Sequence, residues 1–345
     1  MQLKRSSTRN IFAHSNSGVP FEGSKTLQRE EKVGHQMGSF SETEIERAFA
    51  EYRRRGVETH DWENWAALFT DDAQFVEHFL GEFRGREAIR EWIVDTMAEY
   101  PFISLWMEWW IIEDDRVVLY IWNNLPDPSG SGKRYAFPNS TILHYAGNGE
   151  WDYEEDFYNP ADAERVWGEW FNDGGRLSTE IDNSLRGIDG WAPPVPEPAY
   201  SREEVEREFF EYRRRGDIAV STGDWDQWAD QFTTDAKYFE HHYGRFSGRE
   251  EIRSWISETV RPFPEMYFAL DHYMIDGNRV VAVIPNCLPD PKGGEEIFSF
   301  NVHVVLHYAG NGLWSYEEDI YNPREAEGTI AAWIKAGGTL PQVEE

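Results

Sequence analysis

The chain has 345 residues, which is long for a single domain and enough for two. Its 33 lysine and arginine residues face 63 aspartate and glutamate residues, and the resulting net charge of −30 argues against binding to nucleic acid or to an anionic membrane surface. Cys287 is the single cysteine, which excludes an internal disulfide framework and suits a cytoplasmic protein, and no apolar run has the length of a transmembrane helix.

The sequence repeats itself over more than a hundred residues. The segment Asp61–His78 returns as Asp224–His241, and Leu143–Pro160 returns as Leu306–Pro323, both at an offset of 163 residues. A repeat of this length indicates a duplicated whole domain. We expect a disordered leader with Met37 as an alternative start, two domains, a linker stiffened by prolines and a short tail. Their expected bounds are 1–39, 40–172, 173–199, 200–338 and 339–345.

The first part of each copy is predicted to be helical. Capping boxes that begin at Ser41 and Ser201 start a first helix, and Gly56 and Gly216 are predicted to end it. A short second helix is predicted from Asp61, where apolar residues recur at helical spacing.

The second part of each copy is predicted to be rich in strands. A strand over Gln74–Phe79 and a third helix after Gly85 come first, and a helix that begins at Pro160 closes the copy. Copy two is expected to repeat each element. The pattern predicts an α+β fold, with two cone-shaped α+β barrel domains, each a curved, mostly antiparallel sheet wrapped on its N-terminal helices. The four main strands of copy one are predicted at Ile103–Ile112, Arg116–Asn124, Tyr135–Tyr145 and Trp151–Tyr158.

Three short motifs occur in this order in both copies. They are F-T-x-D-A before the first strand, G-R-E at the third helix and E-D-x-Y-N-P after the last strand. With these motifs the chain resembles the nuclear transport factor two-like superfamily, SnoaL-like branch, over roughly residues 40–172 and 200–336. That superfamily includes ketosteroid isomerase, scytalone dehydratase, limonene-epoxide hydrolase, polyketide cyclases and non-catalytic binding proteins, so the fold alone does not determine the function.

Two carboxylates in each copy are candidate catalytic groups. The resemblance places Glu77 and Glu240 where ketosteroid isomerase-like enzymes carry their base. It places Asp156 and Asp319 where limonene-epoxide hydrolase-like enzymes carry a water-activating aspartate, although the rest of that charged triad does not match. A carboxylate inside an apolar cone has a raised pKa, which suits proton abstraction. The alternative is that all four are structural carboxylates that bind backbone or arginine groups.

Tyr52 and Tyr212 match, approximately, the tyrosine that holds an oxyanion in ketosteroid isomerase-like sites. The alternative is that both are ordinary core aromatics. Histidines of copy two are candidates because scytalone dehydratase-like sites use histidine, and strand amides could orient a substrate carbonyl. The predicted substrate-binding residues are Phe75, Trp122, Asn124 and Asn139 in copy one and Tyr238, His272, Asn286, Asn301 and His303 in copy two.

We expect neither a cofactor nor a metal site. Glu240, His241 and His242 are adjacent on a strand, so their side chains would point to opposite faces rather than to one metal ion.

Two hypotheses for the function remain. The first is a cofactor-independent isomerase, dehydratase, lyase or hydratase that uses acid–base chemistry on a small hydrophobic molecule, possibly aromatic or polycyclic, with copy two favoured as the active copy. The second is a non-catalytic binding or assembly protein whose sheets pack back to back as an intramolecular pseudo-dimer, which could assemble further into a homo-oligomer.

Overall fold

The computed structural model describes residues 38–179 and 193–340. The predicted leader up to residue 37, the middle of the predicted linker and the end of the predicted tail lie outside these ranges. No helix in the described part of the chain is both long and apolar enough to cross a membrane.

The helices of copy one begin at the predicted capping residues. The Ser41 hydroxyl accepts the backbone N–H of Glu44, and the Asn159 side chain accepts that of Ala161. A π-helical turn over Arg54–Glu58 follows the first helix. The helices are α1 (Glu42–Arg53), α2 (Trp62–Ala66), α3 (Arg86–Glu99) and α4 (Pro160–Asn172).

The sheet of copy one is mixed, and its strands follow the order β2-β1-β6-β5-β4-β3. Only β1 and β6 pair in parallel; the other pairs are antiparallel. The sheet is curved but does not close into a barrel. Its strands are β1 (Phe69–Glu77), β2 (Gly81–Arg84), β3 (Ser104–Glu113), β4 (Arg116–Leu125), β5 (Tyr135–Gly147) and β6 (Glu150–Phe157).

The four main strands start and end within two residues of their predicted positions. The first strand starts earlier than predicted, because Phe69 already pairs with Trp151 of β6. The short strand β2 was not predicted, since its four residues carry no alternating apolar pattern.

Copy two repeats the helices and the strand order, but its long strands are divided. Pro285 separates β11 from β12, because proline has no N–H to donate to a sheet. The result is a six-stranded sheet, β10-β11-β14-β15-β7-β8, and a three-stranded extension, β13-β12-β9. The helices are α5 (Arg202–Thr222), α6 (Asp226–Ala229), α7 (Arg249–Val260) and α8 (Pro323–Ala336). The strands are β7 (Phe232–Glu240), β8 (Gly244–Ser247), β9 (Tyr267–Phe268), β10 (His272–Asp276), β11 (Arg279–Val283), β12 (Asn286–Pro289), β13 (Ile297–Phe300), β14 (His303–Gly310) and β15 (Leu313–Ile320).

Gly56 and Gly216 do not end the first helix of their copies, so that prediction was wrong. Helical backbone continues through both positions, and α5 ends only at Thr222, where the cap residue Gly223 has a left-handed φ of 73°. A Cβ on Gly56 would lie 2.8 Å from Cδ1 of the buried Trp65, whereas one on Gly216 would lie 3.7 Å from Cδ1 of Trp228. Gly56 therefore allows a close approach of helix and indole, and Gly216 does not have this role.

Gly56→Ala should lower the free energy of unfolding by about 1–3 kcal/mol, because the added methyl group overpacks against Trp65. Gly216→Ala is the matched control, and it should cause no loss and gain up to about 1 kcal/mol from better helix propensity. Urea denaturation of both variants measures the difference. Equal effects at the two positions would show that the close contact to Trp65 has no energetic consequence.

The outer faces of the two sheets pack against each other. Side-chain hydrogen bonds also cross this interface. The Tyr120 hydroxyl donates to Glu318 Oε1 at 2.7 Å, and Asn301 Nδ2 donates to Glu155 Oε1 at 3.1 Å. The buried apolar residues that share this cluster are Ile111, Val118, Tyr120, Trp122, Ile142 and Phe157 from copy one and Met274, Val281, Val283, Val305 and Ile320 from copy two.

Two reciprocal contacts give the interface an approximate two-fold symmetry. Asn159 Nδ2 donates to the His241 carbonyl at 2.6 Å, and the corresponding Asn322 Nδ2 donates to the His78 carbonyl at 2.7 Å. Each asparagine also caps the last helix of its own copy, so these residues connect the helix start of one copy to the residue that follows the first strand of the other.

Candidate functional site

Four polar side chains meet on the inner face of the sheet in copy two. Side chains alternate along a strand, so Tyr238 and Glu240 of β7 share this face, as do Glu317 and Asp319 of β15. The two strands are parallel neighbours, with Tyr238 opposite Glu317 and Glu240 opposite Asp319. The register therefore brings three carboxyl groups and a phenol together on two adjacent strands.

These groups line a cavity of about 200 Å³ between the sheet and the helices of copy two. Asn286 and Tyr212 also line it, so five predicted site residues of copy two share one cavity. The cavity walls are largely aromatic, and they include Trp225, Trp228, Trp255, Phe263, Phe268 and Phe300. A concave, largely aromatic space of this kind, with a few convergent polar groups, is typical of a small-molecule site.

Glu317 and Asp319 share tyrosine hydroxyl groups. The Tyr212 hydroxyl donates to Glu317 Oε1 at 2.6 Å, and the Tyr238 hydroxyl lies 3.0 Å from the same oxygen and 2.6 Å from Asp319 Oδ2. The second oxygens, Glu317 Oε2 and Asp319 Oδ1, are buried and accept no hydrogen bond from any residue of the described ranges. Each carboxyl group therefore keeps one buried oxygen that has no hydrogen-bond partner in the described ranges.

The two carboxyl groups hold protons more tightly than exposed carboxyl groups do. Burial raises the pKa of Glu317 well above its usual range, and the nearby charge of Asp319 adds to this effect. Burial also raises the pKa of Asp319 to about 7, although the hydrogen bond from Tyr238 opposes the shift. Near neutral pH the pair can thus present one protonated and one ionised carboxyl group, which are an acid and a base.

Glu240 is more fully engaged by the protein than Asp319. Its Oε2 accepts the backbone N–H groups of His242, at 2.8 Å, and of Tyr243, and the phenol of Tyr321 also hydrogen-bonds it. Burial raises the Glu240 pKa, and these hydrogen bonds oppose the rise. The side chain holds the turn after β7 at the edge of the cavity.

Copy one repeats much of this arrangement. The Tyr52 hydroxyl donates to Glu154 Oε1 at 2.9 Å, and burial raises the Glu154 pKa well above its usual range. Burial raises the pKa of Glu77 to about 7, and Glu77 Oε2 accepts the backbone N–H of Phe79 at 2.9 Å, just as Glu240 does with the following turn.

The aspartates of the two copies have different neighbours. In copy one, Asp156 accepts a hydrogen bond from the Thr141 hydroxyl and one from Asn139 Nδ2 at 3.1 Å. Burial raises its pKa to about 6, and these donors oppose the shift. Valines occupy the corresponding positions in copy two, and Tyr238 replaces the buried Phe75 of copy one. Asp156 of copy one is therefore hydrogen-bonded by the amide and hydroxyl of the neighbouring strand β5, whereas Asp319 of copy two is hydrogen-bonded by a phenol that lines the cavity.

Two predicted amides, Asn124 and Asn301, lie on the outer face of the sheet, because each is one residue away from an inward-facing position. Asn286 corresponds to Asn123 and not to Asn124, which is buried and donates to the carbonyl groups of Ser104 and Trp122. Likewise Asn301 corresponds to Pro138, so it lies on the opposite face from Asn139 and reaches Glu155 of the other copy. A shift of one residue moves a strand side chain to the other face.

Trp122, His272 and His303 also lie outside the cavity. Trp122 packs between the two sheets and donates Nε1–H to Glu108 at 2.7 Å. The buried His303 ring stacks on Phe157 of the other copy, and burial lowers its pKa to about 3. His272 Nδ1 lies 2.9 Å from Asp271, which follows the predicted acid–base pairing, but on the outer face.

Glu154 and Glu317 were not among the predicted site residues. The signal that could have found them is their spacing, because each lies two residues before the candidate aspartate and therefore on the same face of the strand. In the described ranges no group of three or more histidine, cysteine, aspartate or glutamate side chains is arranged to hold a metal ion.

Comparison with solved structures gives matches to one copy at a time. A protein with a ketosteroid isomerase-like fold from Catenulispora acidiphila is 20% identical, with a TM-score of 0.30, and the match covers 35% of this chain and 92% of that one. A protein from Shewanella denitrificans that is described as a SnoaL-like polyketide cyclase is 14% identical, with a TM-score of 0.30 and coverage of 38% and 99%. An NTF2-like protein from Anabaena variabilis is 14% identical, with a TM-score of 0.30 and coverage of 35% and 91%.

Comparison with curated protein sequences gives no match. The family model of the SnoaL-like domain matches the chain twice, over residues 48–154 and over residues 212–316. These segments fall within the two copies that the repeat defines, and together they span more than half of the chain. The resemblance seen in the motifs is thereby confirmed, and the chain belongs to the SnoaL-like domain family, as two copies in tandem.

Proposed function

We propose that the cone of copy two is the active site of a cofactor-independent enzyme that transfers protons on a small, largely hydrophobic molecule. The reaction would be of the isomerase, dehydratase, lyase, hydratase or cyclase type. The observation that supports this proposal most directly is the carboxyl pair of Glu317 and Asp319, which lines an aromatic cavity of about 200 Å³. Perturbed acids in a cavity are typical of catalytic sites.

In this proposal Asp319 is the base and Glu317 the acid. The raised pKa of Asp319, about 7, makes it both partly ionised and strongly basic near neutral pH, which is the range where general base catalysis is efficient. Glu317 stays protonated and can donate to a developing oxyanion or leaving group. Tyr212 and Tyr238 orient the two carboxyl groups and supply hydrogen bonds as the charge moves between them.

Glu240, the base that the resemblance implies, has a positioning role in this scheme. Two backbone N–H groups and the Tyr321 phenol already donate hydrogen bonds to its carboxylate. Some of these hydrogen bonds would have to break before Glu240 could accept a proton from a substrate. Asp319 Oδ1 needs no such rearrangement.

The test uses 5-nitrobenzisoxazole, a neutral aromatic probe. When a base removes the proton on C3, the N–O bond breaks and the isoxazole ring opens to a cyanophenolate. The wild-type rate should exceed that of acetate at the same pH and should rise with an apparent pKa near 7, because Asp319 must be ionised. A rate no higher than that with acetate would contradict the proposal.

A second variant tests whether the reaction takes place in the cavity. Ile330 lines the cavity, and the corresponding residue of copy one is Trp167. Ile330→Trp should fill much of the space and lower the rate about tenfold or more, while the circular dichroism spectrum stays that of the wild type. An unchanged rate would mean that the probe reacts elsewhere.

The alternative function is ligand binding without turnover, and the aromatic walls of the cavity favour it as the second candidate. It predicts that the cavity binds neutral aromatic probes and that the Asp319 carboxyl group has no effect on the rate of any probe reaction.

A further inference from the structure

The charged side chains that line the cavity are mostly acidic. Two basic side chains, Arg213 and His242, also line it, and Arg213 Nη2 donates to the Phe268 carbonyl at 3.1 Å. The acidic ones are Glu240, Glu317 and Asp319 inside the cavity and Asp217 and Glu327, which are exposed at its mouth.

We propose that the ligand of this cavity is a small aromatic or polycyclic amine, bound as its ammonium ion with at least one N–H group. This inference rests on the proposed function in that it names the substrate class of the same site. Three independent properties of the cavity support it: its charge, its free hydrogen-bond acceptors and its aromatic walls.

The charge of the cavity selects against anions. A carboxylate or phosphate ligand would meet three acidic groups in a low-dielectric space, against which the lining sets only the basic side chains of Arg213 and His242. A cation would instead gain attraction from whichever of Glu240, Glu317 and Asp319 is ionised, and its binding would favour ionisation of the others. The overall charge of −30 adds to the attraction during approach, although salt screens that part.

The free acceptor oxygens call for a ligand that donates hydrogen bonds. Asp319 Oδ1 is buried and has no partner in the described ranges. Oε2 of Glu317, which is 2% exposed, has none either, and it becomes an acceptor when a bound cation favours ionisation of this carboxyl group. Buried polar atoms without partners are rare because they are costly, so a ligand N–H that reaches them recovers a substantial free energy. Hydrogen bonds between an ammonium group and a carboxylate are also stronger than neutral ones.

The aromatic walls suit both parts of such a ligand. Trp228, Trp255 and Tyr238 line the same cavity as the carboxyl pair. The electron-rich faces of aromatic rings attract a cation, and such rings also pack against an apolar ring system. A fully aliphatic wall would bind the ring system but would offer nothing to the charge.

The experiment compares three probes of nearly equal shape by calorimetry at 150 mM salt. They are 1-naphthylmethylamine as its ammonium ion, the neutral 1-ethylnaphthalene and the anionic 1-naphthoate. The ammonium probe should bind at least about tenfold more tightly than the neutral one, and the anion should bind most weakly. Equal or tighter binding of either other probe overturns the proposal, and so does the absence of millimolar binding of the ammonium probe.

Two variants test whether the carboxyl pair causes the preference for the ammonium probe. Glu317→Gln combined with Asp319→Asn should bring the affinities of the ammonium and neutral probes to within about twofold of each other. Glu258→Gln removes an exposed acid of α7 that does not line the cavity, and it should keep the full preference. Preference retained in the double variant overturns the proposal.

Binding and turnover fail independently. A tight ammonium complex together with a probe reaction no faster than with acetate would overturn the proposed function and leave the ligand class standing. A fast proton transfer without preference for the ammonium probe would do the reverse.

Discussion

Asp319→Asn should abolish proton transfer in copy two and leave the fold at least as stable as that of the wild type. Asparagine keeps the shape of the side chain and can still accept the hydrogen bond from Tyr238, but it cannot take up a proton. The rate with 5-nitrobenzisoxazole should fall by a factor on the order of 10²–10⁴, the usual contribution of a general base.

The stability of this variant separates a catalytic carboxylate from a structural one. The pKa of Asp319 is raised to about 7 in the folded state, from 3.8, so the carboxyl group favours folding least when it is ionised. Stability that is present at low pH is therefore lost as the pH rises through about 7, and asparagine removes this loss. At pH 8 the variant should be more stable than the wild type by roughly 1–4 kcal/mol, as measured by urea denaturation.

The matched comparison is Asp156→Asn in copy one, where Thr141 and Asn139 hold the carboxylate. We expect a much smaller change in rate from it, since the proposed site lies in copy two. Equal losses would place the chemistry in both cones. If Asp319→Asn unfolded the protein, the aspartate would be structural, and the binding or assembly function would be favoured.

The stability of the interface between the copies should fall as the pH rises above neutrality, because of His78. Its Nε2 lies 2.8 Å from Glu155 Oε1 and its Nδ1 lies 2.7 Å from Glu325 Oε2, and the imidazole is buried. Burial alone would lower its pKa, but the hydrogen bonds to the two glutamates outweigh burial and raise the pKa to about 10.

The sign of the pH effect follows from this raised pKa. The contribution of His78 to stability is complete below its ordinary pKa of 6.5 and is lost as the pH rises through about 10. Within that window the free energy of unfolding should decrease by up to about 1.4 kcal/mol per pH unit.

His78→Gln should lower the free energy of unfolding by about 3–5 kcal/mol at pH 6, because Glu155 would remain buried without its positive partner. The difference from the wild type should shrink steadily when urea denaturation is repeated at pH 7.5 and 9. His144→Gln is the control, since burial lowers the His144 pKa to about 4 and the residue stays neutral throughout this range. A His78→Gln difference that does not change with pH would mean that the imidazole is not charged in the fold.

The two copies also show which features can be predicted from short-range sequence patterns. Capping serines at 41 and 201, the main strands and the inward direction of Glu77 and Asp156 follow from short-range rules, namely cap chemistry and the two-residue period of a strand. The same two-residue period explains why Asn124 and Asn301 lie on the outer face, since each is one residue away from an inward-facing position.

The sequence by itself determined the duplication, the α+β fold and the family, because repeats, caps and alternation are local properties of the chain. Only the tertiary structure decided which of the candidate side chains line the cavity and which lie between the two sheets. Trp122 and His303 lie between the sheets because the second copy covers the outer face of the first. The raised pKa values of Glu317 and Asp319 arise from burial by residues distant in sequence, and such burial is a property of the packed fold rather than of any segment.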